Sequence, residues 1–252
     1  MLTSLALIAA VFAISFVLTM VGLGGGLVFS PLFLLIGFAK TDAASASLFL
    51  NLVAAASAAT VYARKRMVDF ALSVPLIVSS AITAPLGSYL NARIDTQAFI
   101  SVMAVILVLA AGRMLMSPPA PQQGDSGPGR TGKLAGGLAI GAGIGLIGGM
   151  LGIGGGVFVV PLLIYVLRTP VKIAAASSTF IVCFASLTGF IGYASMGETD
   201  WSFILPAAAA CFIGGQAGSH FMSAKMKGRA IRVIFAVLLV FMSLKLLQRA
   251  FF

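Results

Sequence analysis

Apolar stretches of 15 to 21 residues follow one another along almost the whole of this 252-residue chain, parted only by short polar breaks. A membrane-spanning α-helix needs about 20 apolar residues, whereas a barrel strand alternates over about 10, so the pattern predicts helices that cross a bilayer. The chain is 60% hydrophobic and 9% charged. Soluble domains carry about 25% charged residues, so an ordinary soluble fold is excluded. The expected fold class is an all-α polytopic membrane protein with about 8–10 membrane segments.

Lys and Arg number 16 against 6 Asp and Glu, a formal net charge of +10. In a soluble protein such an excess points to nucleic acid, but here the basic residues lie between apolar runs, where they set orientation. The lipid bilayer is therefore the expected partner, and nucleic acid is not. Cys183 and Cys211 both lie inside apolar runs, where a thiol behaves as a small hydrophobe. Neither a disulfide framework nor a metal-ligand spacing is suggested, and no cofactor is expected.

The stretch from Leu2 to Val21 lacks the positive region of a signal peptide and is expected to stay as a helix. Apolar segments follow at about 24–37, 43–62, 70–90 and 98–116, then at about 133–151, 154–168, 174–195, 201–221 and 229–248. Residues 117–132 are rich in Pro, Gly and polar side chains and need a solvated setting. They read as the linker between a first transmembrane repeat, 1–116, and a second, 133–252.

Those two parts match in register. Gly22-Leu-Gly-Gly-Gly26 followed by Pro31 recurs as Gly152-Ile-Gly-Gly-Gly156 followed by Pro161, an offset of 130. After one inserted residue the offset is 131, pairing Ser47 with Ser178, Tyr62 with Tyr193, Asp69 with Asp200, Pro75 with Pro206 and Gly87 with Gly218. Composition alone would align scattered Ala or Leu, not this punctuation. If each repeat crosses the bilayer an odd number of times, twelve basic residues fall on one side: Arg64, Lys65, Arg66, Arg113, Arg130, Lys133, Arg168, Lys172, Lys225, Lys227, Arg229 and Arg232. Only Lys40, Arg93, Lys245 and Arg249 fall on the other, whereas an even number divides the same residues 8 to 8. The positive-inside bias selects the odd count, which predicts inverted-topology repeats, both termini outside and a cytoplasmic linker. Five full crossings and three crossings plus a re-entrant hairpin satisfy it equally.

Gly24, Gly25 and Gly26, and their counterparts Gly154, Gly155 and Gly156, interrupt apolar sequence where freed backbone groups must face protein or water. Each triplet precedes a short apolar segment, so each reads as a discontinuous helix whose amino end offers N–H groups and a positive dipole to an anion. Close helix packing or a tight turn is the other reading. Occurrence once per inverted repeat, where such proteins build their transport sites, favours substrate binding. Ser45, Ser47 and Asn51 in the first repeat, and Ser177, Ser178 and Thr179 in the second, are candidate hydrogen-bond donors to an oxyanion. Ser and Thr also bond back to their own helices, whereas the Asn51 amide is costly in lipid without a partner, which makes it the leading candidate.

The duplicated Gly-x-Gly-Gly-Gly with a proline five residues beyond, the Ala44-Ser-Ala-Ser-Leu48 and Ala175-Ala-Ser-Ser-Thr179 stretches, and the Gly-Ser pairs at Gly87 and Gly218 resemble the TauE/SafE sulfite exporter family. The likeness covers nearly the whole chain outside the linker. It implies a carrier of the bacterial inner membrane that exports sulfite or an organosulfonate such as sulfoacetate. The chain has Ala46-Ser47-Leu48 and Ser177-Ser178-Thr179 where the family commonly has Ala-Thr-Ser, so the resemblance does not assign individual hydroxyls.

All six acidic residues, Asp42, Asp69, Asp95, Asp125, Glu198 and Asp200, fall in breaks or at segment ends, not mid-span where a proton relay needs them. Potential-driven export of an anion is the resulting expectation. Asp69 and Asp200 are candidates for gating or coupling, or simply helix N-caps. His220, the single histidine, is a candidate proton group or a hydrogen-bonded helix residue. Tyr62 and Tyr193, at matched segment ends, read as interfacial anchors. A passive channel, a non-transporting subunit and an intramembrane hydrolase are the competing functions. Ser219 and His220 are adjacent on a helix, point in different directions and make a poor dyad, so no catalytic residue is expected.

Overall fold

The structure, a computed structural model, describes residues 2–94, 130–195 and 201–251 and single positions at 105, 108 and 112. Asp95, Asp125, Glu198, Asp200, most of the linker and most of the segment expected at 98–116 lie outside the described residues. The remainder is helical: α1 (Leu2–Met20), α2 (Gly26–Leu35), α3 (Lys40–Arg64), α4 (Phe70–Arg93), α5 (Arg130–Leu151), α6 (Gly156–Tyr165), α7 (Val171–Ala194), α8 (Trp201–Lys225) and α9 (Gly228–Phe251). Helices α3, α4 and α7 are long and apolar enough to cross a membrane. At 10 residues each, α2 and α6 are about 15 Å long, half the hydrocarbon thickness, so each is a half-span.

The bundle is apolar outside, and its interior mixes large apolar side chains such as Phe29, Phe33 and Phe235 with small and hydroxyl-bearing residues. Along α4 the residues Phe70, Val74, Val78, Ile82, Leu86 and Leu90, spaced by four, are all exposed. Val233, Val237, Phe241 and Leu244 form a second exposed stripe on α9. Apolar stripes this long do not persist against water and fit lipid. Inside, Gly141, Gly145 and Gly149 let α5 approach α4 so closely that a methyl group on any of them would strike backbone at Leu76, Ser80 or Ala84. Such small-residue contacts replace the hydrophobic drive that helix association lacks in lipid.

Packing follows the internal repeat. Helix α4 lies on α5 as α1 lies on α8, α4 lies on α7 as α3 lies on α8, and α2 lies on α3 as α6 lies on α7. At the centre the repeat partners α3 and α7 pack on each other antiparallel: Leu48 meets Gly189 while Asn51 meets Ser186. Helix α8 runs parallel to α3, with Phe49 beside Trp201 at one end (ring centroids 5.2 Å) and Lys65 Nζ donating to Ser223 Oγ at the other (2.6 Å). Helix α4 runs parallel to α7, from Phe70 on Phe180 to Ser88 donating to the Gly189 carbonyl. These directions gather Arg64, Lys65, Arg66, Arg168, Lys172, Lys225 and Lys227 at one end of the bundle. Lys40 and Arg93 are at the opposite end, where Lys40 Nζ donates to the Asn91 (2.7 Å) and Ile94 (2.8 Å) carbonyls that close α4.

Candidate functional site

The glycine breaks are placed by helix α3 and its partner. Helix α2 starts at the height of Asn51, midway up α3, and runs back toward the start of that helix; α6 starts against Val182 and Ser186, midway along α7, and runs toward the start of α7. Because α3 and α7 are antiparallel, α2 and α6 diverge in opposite directions, with their amino ends together at the centre. A Cβ on Gly26 would lie 2.7 Å from the Ile153 oxygen, and one on Gly156 would lie 3.1 Å from Leu23 Cα, so each break rests on the backbone of the other. Gly22 presses on Ala175 and Gly152 on Ala44 in the same reciprocal way. All residues from Val21 to Leu27 and from Leu151 to Val157 are buried.

Two hydroxyls repeat this exchange. Ser47 Oγ donates to the Gly152 carbonyl (2.9 Å), and its repeat partner Ser178 donates to the Gly22 carbonyl (2.8 Å). Each long helix thus holds the other repeat's break. Ser47 also reaches the Gly26 carbonyl at 3.3 Å. Tyr62 and Tyr193 are buried rather than interfacial: the Tyr62 hydroxyl donates to the Thr19 carbonyl (2.8 Å) and the Tyr193 hydroxyl to Met150 (3.1 Å). They tie each long helix to the carboxyl end of the helix that precedes a break, a better use of a polar tip than the interface once small residues open the interior.

Asn51 is fully buried, and all its polar capacity is used across the crossing. Its Oδ1 accepts from the Gly25 N–H and from the Gly26 N–H (3.0 Å). Its Nδ2 donates to Ser186 Oγ (2.8 Å) and to the Ile153 carbonyl (3.3 Å). The first break therefore has its amides capped by a side chain. At the second break Val182 stands where Asn51 would be, and among the described residues no side chain caps the amino end of α6. Both ends carry a dipole equivalent to roughly half a positive charge. The acidic residues that are described, Asp42 and Asp69, lie in the first turn of α3 and at the start of α4, away from this height. Two half-helix amino ends that meet without a carboxylate beside them suit an anion.

Of the residues expected at a site, Ser47, Asn51, Ser178 and both glycine triplets come together. Ser45 is buried near the start of α3. Ser177 Oγ accepts from the Asp69 N–H (2.9 Å) toward the basic end, and Thr179 Oγ1 bonds its own helix at Ala175 (2.9 Å). Asp69 caps α4, accepting from the Leu72 N–H at 3.2 Å. His220 is exposed on α8, its Nδ1 2.9 Å from the Gln216 oxygen one turn back. Ser186 is a central residue that sequence reasoning missed; its repeat partner is Ala55, so no matched pair marked it.

The description "Sulfite exporter TauE/SafE" belongs to a family model that matches residues 7–246. The chain belongs to the TauE/SafE family. It is similar to "Probable membrane transporter protein YunE" of Bacillus subtilis, 24% identical over 256 residues and 93% of each chain. It is also similar to "Probable membrane transporter protein y4hK" of Sinorhizobium fredii, 26% identical over 248 residues, or 97% of this chain and 98% of that one. "Sulfite exporter TauE/SafE family protein 1" of Arabidopsis thaliana is 33% identical over 95 residues, 37% of this chain and 21% of the plant protein. No solved structure matches. As a TauE/SafE protein with these helices, the chain is a multi-pass membrane transporter.

Proposed function

We propose that this TauE/SafE protein exports small sulfur-containing anions, sulfite or an organosulfonate such as sulfoacetate, across a bacterial inner membrane, and performs no covalent chemistry. The observation that carries the reading is the meeting of two half-helix amino ends at one height, lined by Ser47, Ser178 and Asn51. The passenger is held by backbone N–H groups at the amino end of α6, which grip an oxyanion less tightly than a buried guanidinium and so permit release. Residues 1–116 and 133–252 act as inverted repeats. Antiparallel packing of the repeat partners α3 and α7 supports this, since it puts the two-fold axis across the helices, in the membrane plane. Under the positive-inside bias the end holding Arg64 to Arg66 is cytoplasmic, with linker 117–132, and both termini are outside.

A monovalent anion leaving a cell that is negative inside gains about 2.3 kcal/mol per 100 mV, so the potential alone drives export. The test is a proteoliposome panel of sulfite, thiosulfate, sulfoacetate, sulfate and chloride, with an imposed potential and no pH gradient. Saturable flux of the sulfur-containing anions is expected. Flux that needs a proton gradient removes the energetic claim, non-saturable flux makes the protein a channel, and no flux removes the transport reading.

A further inference from the structure

The two ends of the bundle are closed by repeat partners of different chemistry. At the basic end the Tyr62 hydroxyl donates to the Thr19 carbonyl, and Tyr62 sits in the main core with Leu18, Met20, Met222 and Met226. Its repeat partner Tyr193, at the opposite end, donates to the Met150 carbonyl in the equivalent way but belongs to a small separate cluster with Ala44, Leu48 and Phe190. Beside it Asn91 stands where the basic end has Met222, and Lys40 stands where that end has Val171. The Asn91 amide nitrogen donates to the Tyr193 hydroxyl, and Lys40 Nζ holds the Asn91 and Ile94 carbonyls at 2.7 and 2.8 Å. Asn91 is fully buried, and among the described residues its Oδ1 has no hydrogen-bond partner.

This cluster stands over the second break. Helix α6 runs from the crossing to the basic end, so its amino end is directed the other way, toward Lys40. On α7 Tyr193 lies seven residues beyond Ser186, on the same face and about 10 Å further from the basic end. On α3 Leu48, Ala44 and Lys40 continue the face of Asn51 in the same direction. Leu48 closes on Gly189, where a Cβ would lie 3.2 Å from its methyl carbon, and Gly152 in the break rests on Ala44. Ser88 ties α4 to the Gly189 carbonyl at 3.0 Å. Between the crossing and the far face stand, in order, Leu48 with Gly189, Tyr193 with Asn91, and Lys40.

We propose that Tyr193, Asn91 and Lys40 form a gate at the mouth opposite the basic end, and that this is the end poised to open. A buried acceptor without a donor raises the free energy of the closed arrangement, and water admitted on opening satisfies it. Lys40 opposes that opening: its ammonium joins the first residue of α3 to the carbonyls that close α4, a charge-assisted clasp outside the amide. At the basic end Met222 is buried and Val171 packs beside Gly228, so closure there is apolar and has no equivalent oxygen to satisfy. The inference rests on the export reading for what passes through the gate, not for its movement.

The experiment places one cysteine at Leu48 of the full-length chain, with Cys183 and Cys211 changed to alanine. Its labelling by a membrane-impermeant methanethiosulfonate, added to the Lys40 face of oriented proteoliposomes, is timed in three backgrounds: otherwise unchanged, Lys40→Met, and Asn91→Met, which gives this mouth the residue of the other. Lys40→Met is expected to speed labelling about tenfold, a population shift within reach of one charged hydrogen bond. Asn91→Met is expected to slow it about fivefold with Tm level or higher, because the unpaired oxygen is gone and the Lys40 bonds go to backbone. Should Leu48→Cys fail to fold, Ser47→Cys, close in volume, is the second reporter. Equal rates in all three backgrounds overturn the inference, as does faster labelling in Asn91→Met. Sulfite flux in the same vesicles separates the two readings: rate changes without any flux remove export and leave the gate, and flux with equal labelling removes the gate alone.

Discussion

The first and second glycine breaks share a motif, a packing partner and a reciprocal hydroxyl, yet their amides end in different states. Asn51 Oδ1 closes the Gly25 and Gly26 N–H groups, whereas Val182 offers nothing to Gly155 and Gly156. Their backbones differ too: Gly25 is extended, with φ of −162°, while Gly155 is left-handed at 78°. One difference between the matched positions, Asn51 against Val182, thus leaves one break with its amides capped and the other, among the described residues, without a side-chain cap. Under the export function proposed above, the open break is the one that takes the passenger.

The largest expected effect tests what the two breaks share. A valine at Gly26 would drive its Cβ into Ile153 backbone, and one at Gly156 into Leu23. Overpacking of this kind costs about 1–3 kcal/mol. Both variants are expected to insert, to unfold at lower temperature in detergent and to lose anion flux. Wild-type flux in either would mean the crossing is not the working part of the protein.

Next comes a variant that makes the first break resemble the second. Asn51→Val removes the acceptor from two buried N–H groups and the donor from Ser186, and each buried group left unpaired costs about 1–3 kcal/mol. Thermal unfolding should report a clear loss of stability. Added sulfite should recover more stability in the variant than in wild type, because an anion bound at the vacated amides stabilises the folded state by mass action. Equal recovery in both proteins would show that those amides do not receive the anion.

Much of this arrangement is legible in the residues. Apolar runs mark the helices, the segment expected at 70–90 is Phe70–Arg93, and each half-helix begins at the last glycine of its triplet. Asp69 caps α4 as its place before an apolar run suggests. What lies beyond the sequence is which way side chains face. In a membrane bundle the outward face is as apolar as the inward one, so periodicity does not distinguish Tyr62 turned to the core from a tyrosine at the interface. A mid-helix serine is equally ambiguous: Thr179 bonds its own turn, while Ser186 receives the Asn51 amide across the repeat boundary. Asn51 stands out as a costly amide, but that its oxygen is spent on the protein's own N–H groups follows only from the fold.

The smallest expected effect comes from the opposite exchange. Val182→Asn is nearly volume-conserving, and Val182 already touches the space above Gly154 and Gly156. The amide oxygen introduced there would meet the uncapped start of α6 as Asn51 meets α2. Its new bonds should stabilise the protein by about 1 kcal/mol, the usual net value of an intramolecular hydrogen bond. The same bonds compete with an anion for the second break, so substrate affinity should fall about five- to tenfold, which is a similar energy read from the binding side. Measured together, Tm and KM separate the two roles of that break. A rise in Tm with unchanged KM would place the passenger elsewhere, and a rise in both would mean that the open amides are kept uncapped for the anion at the expense of stability.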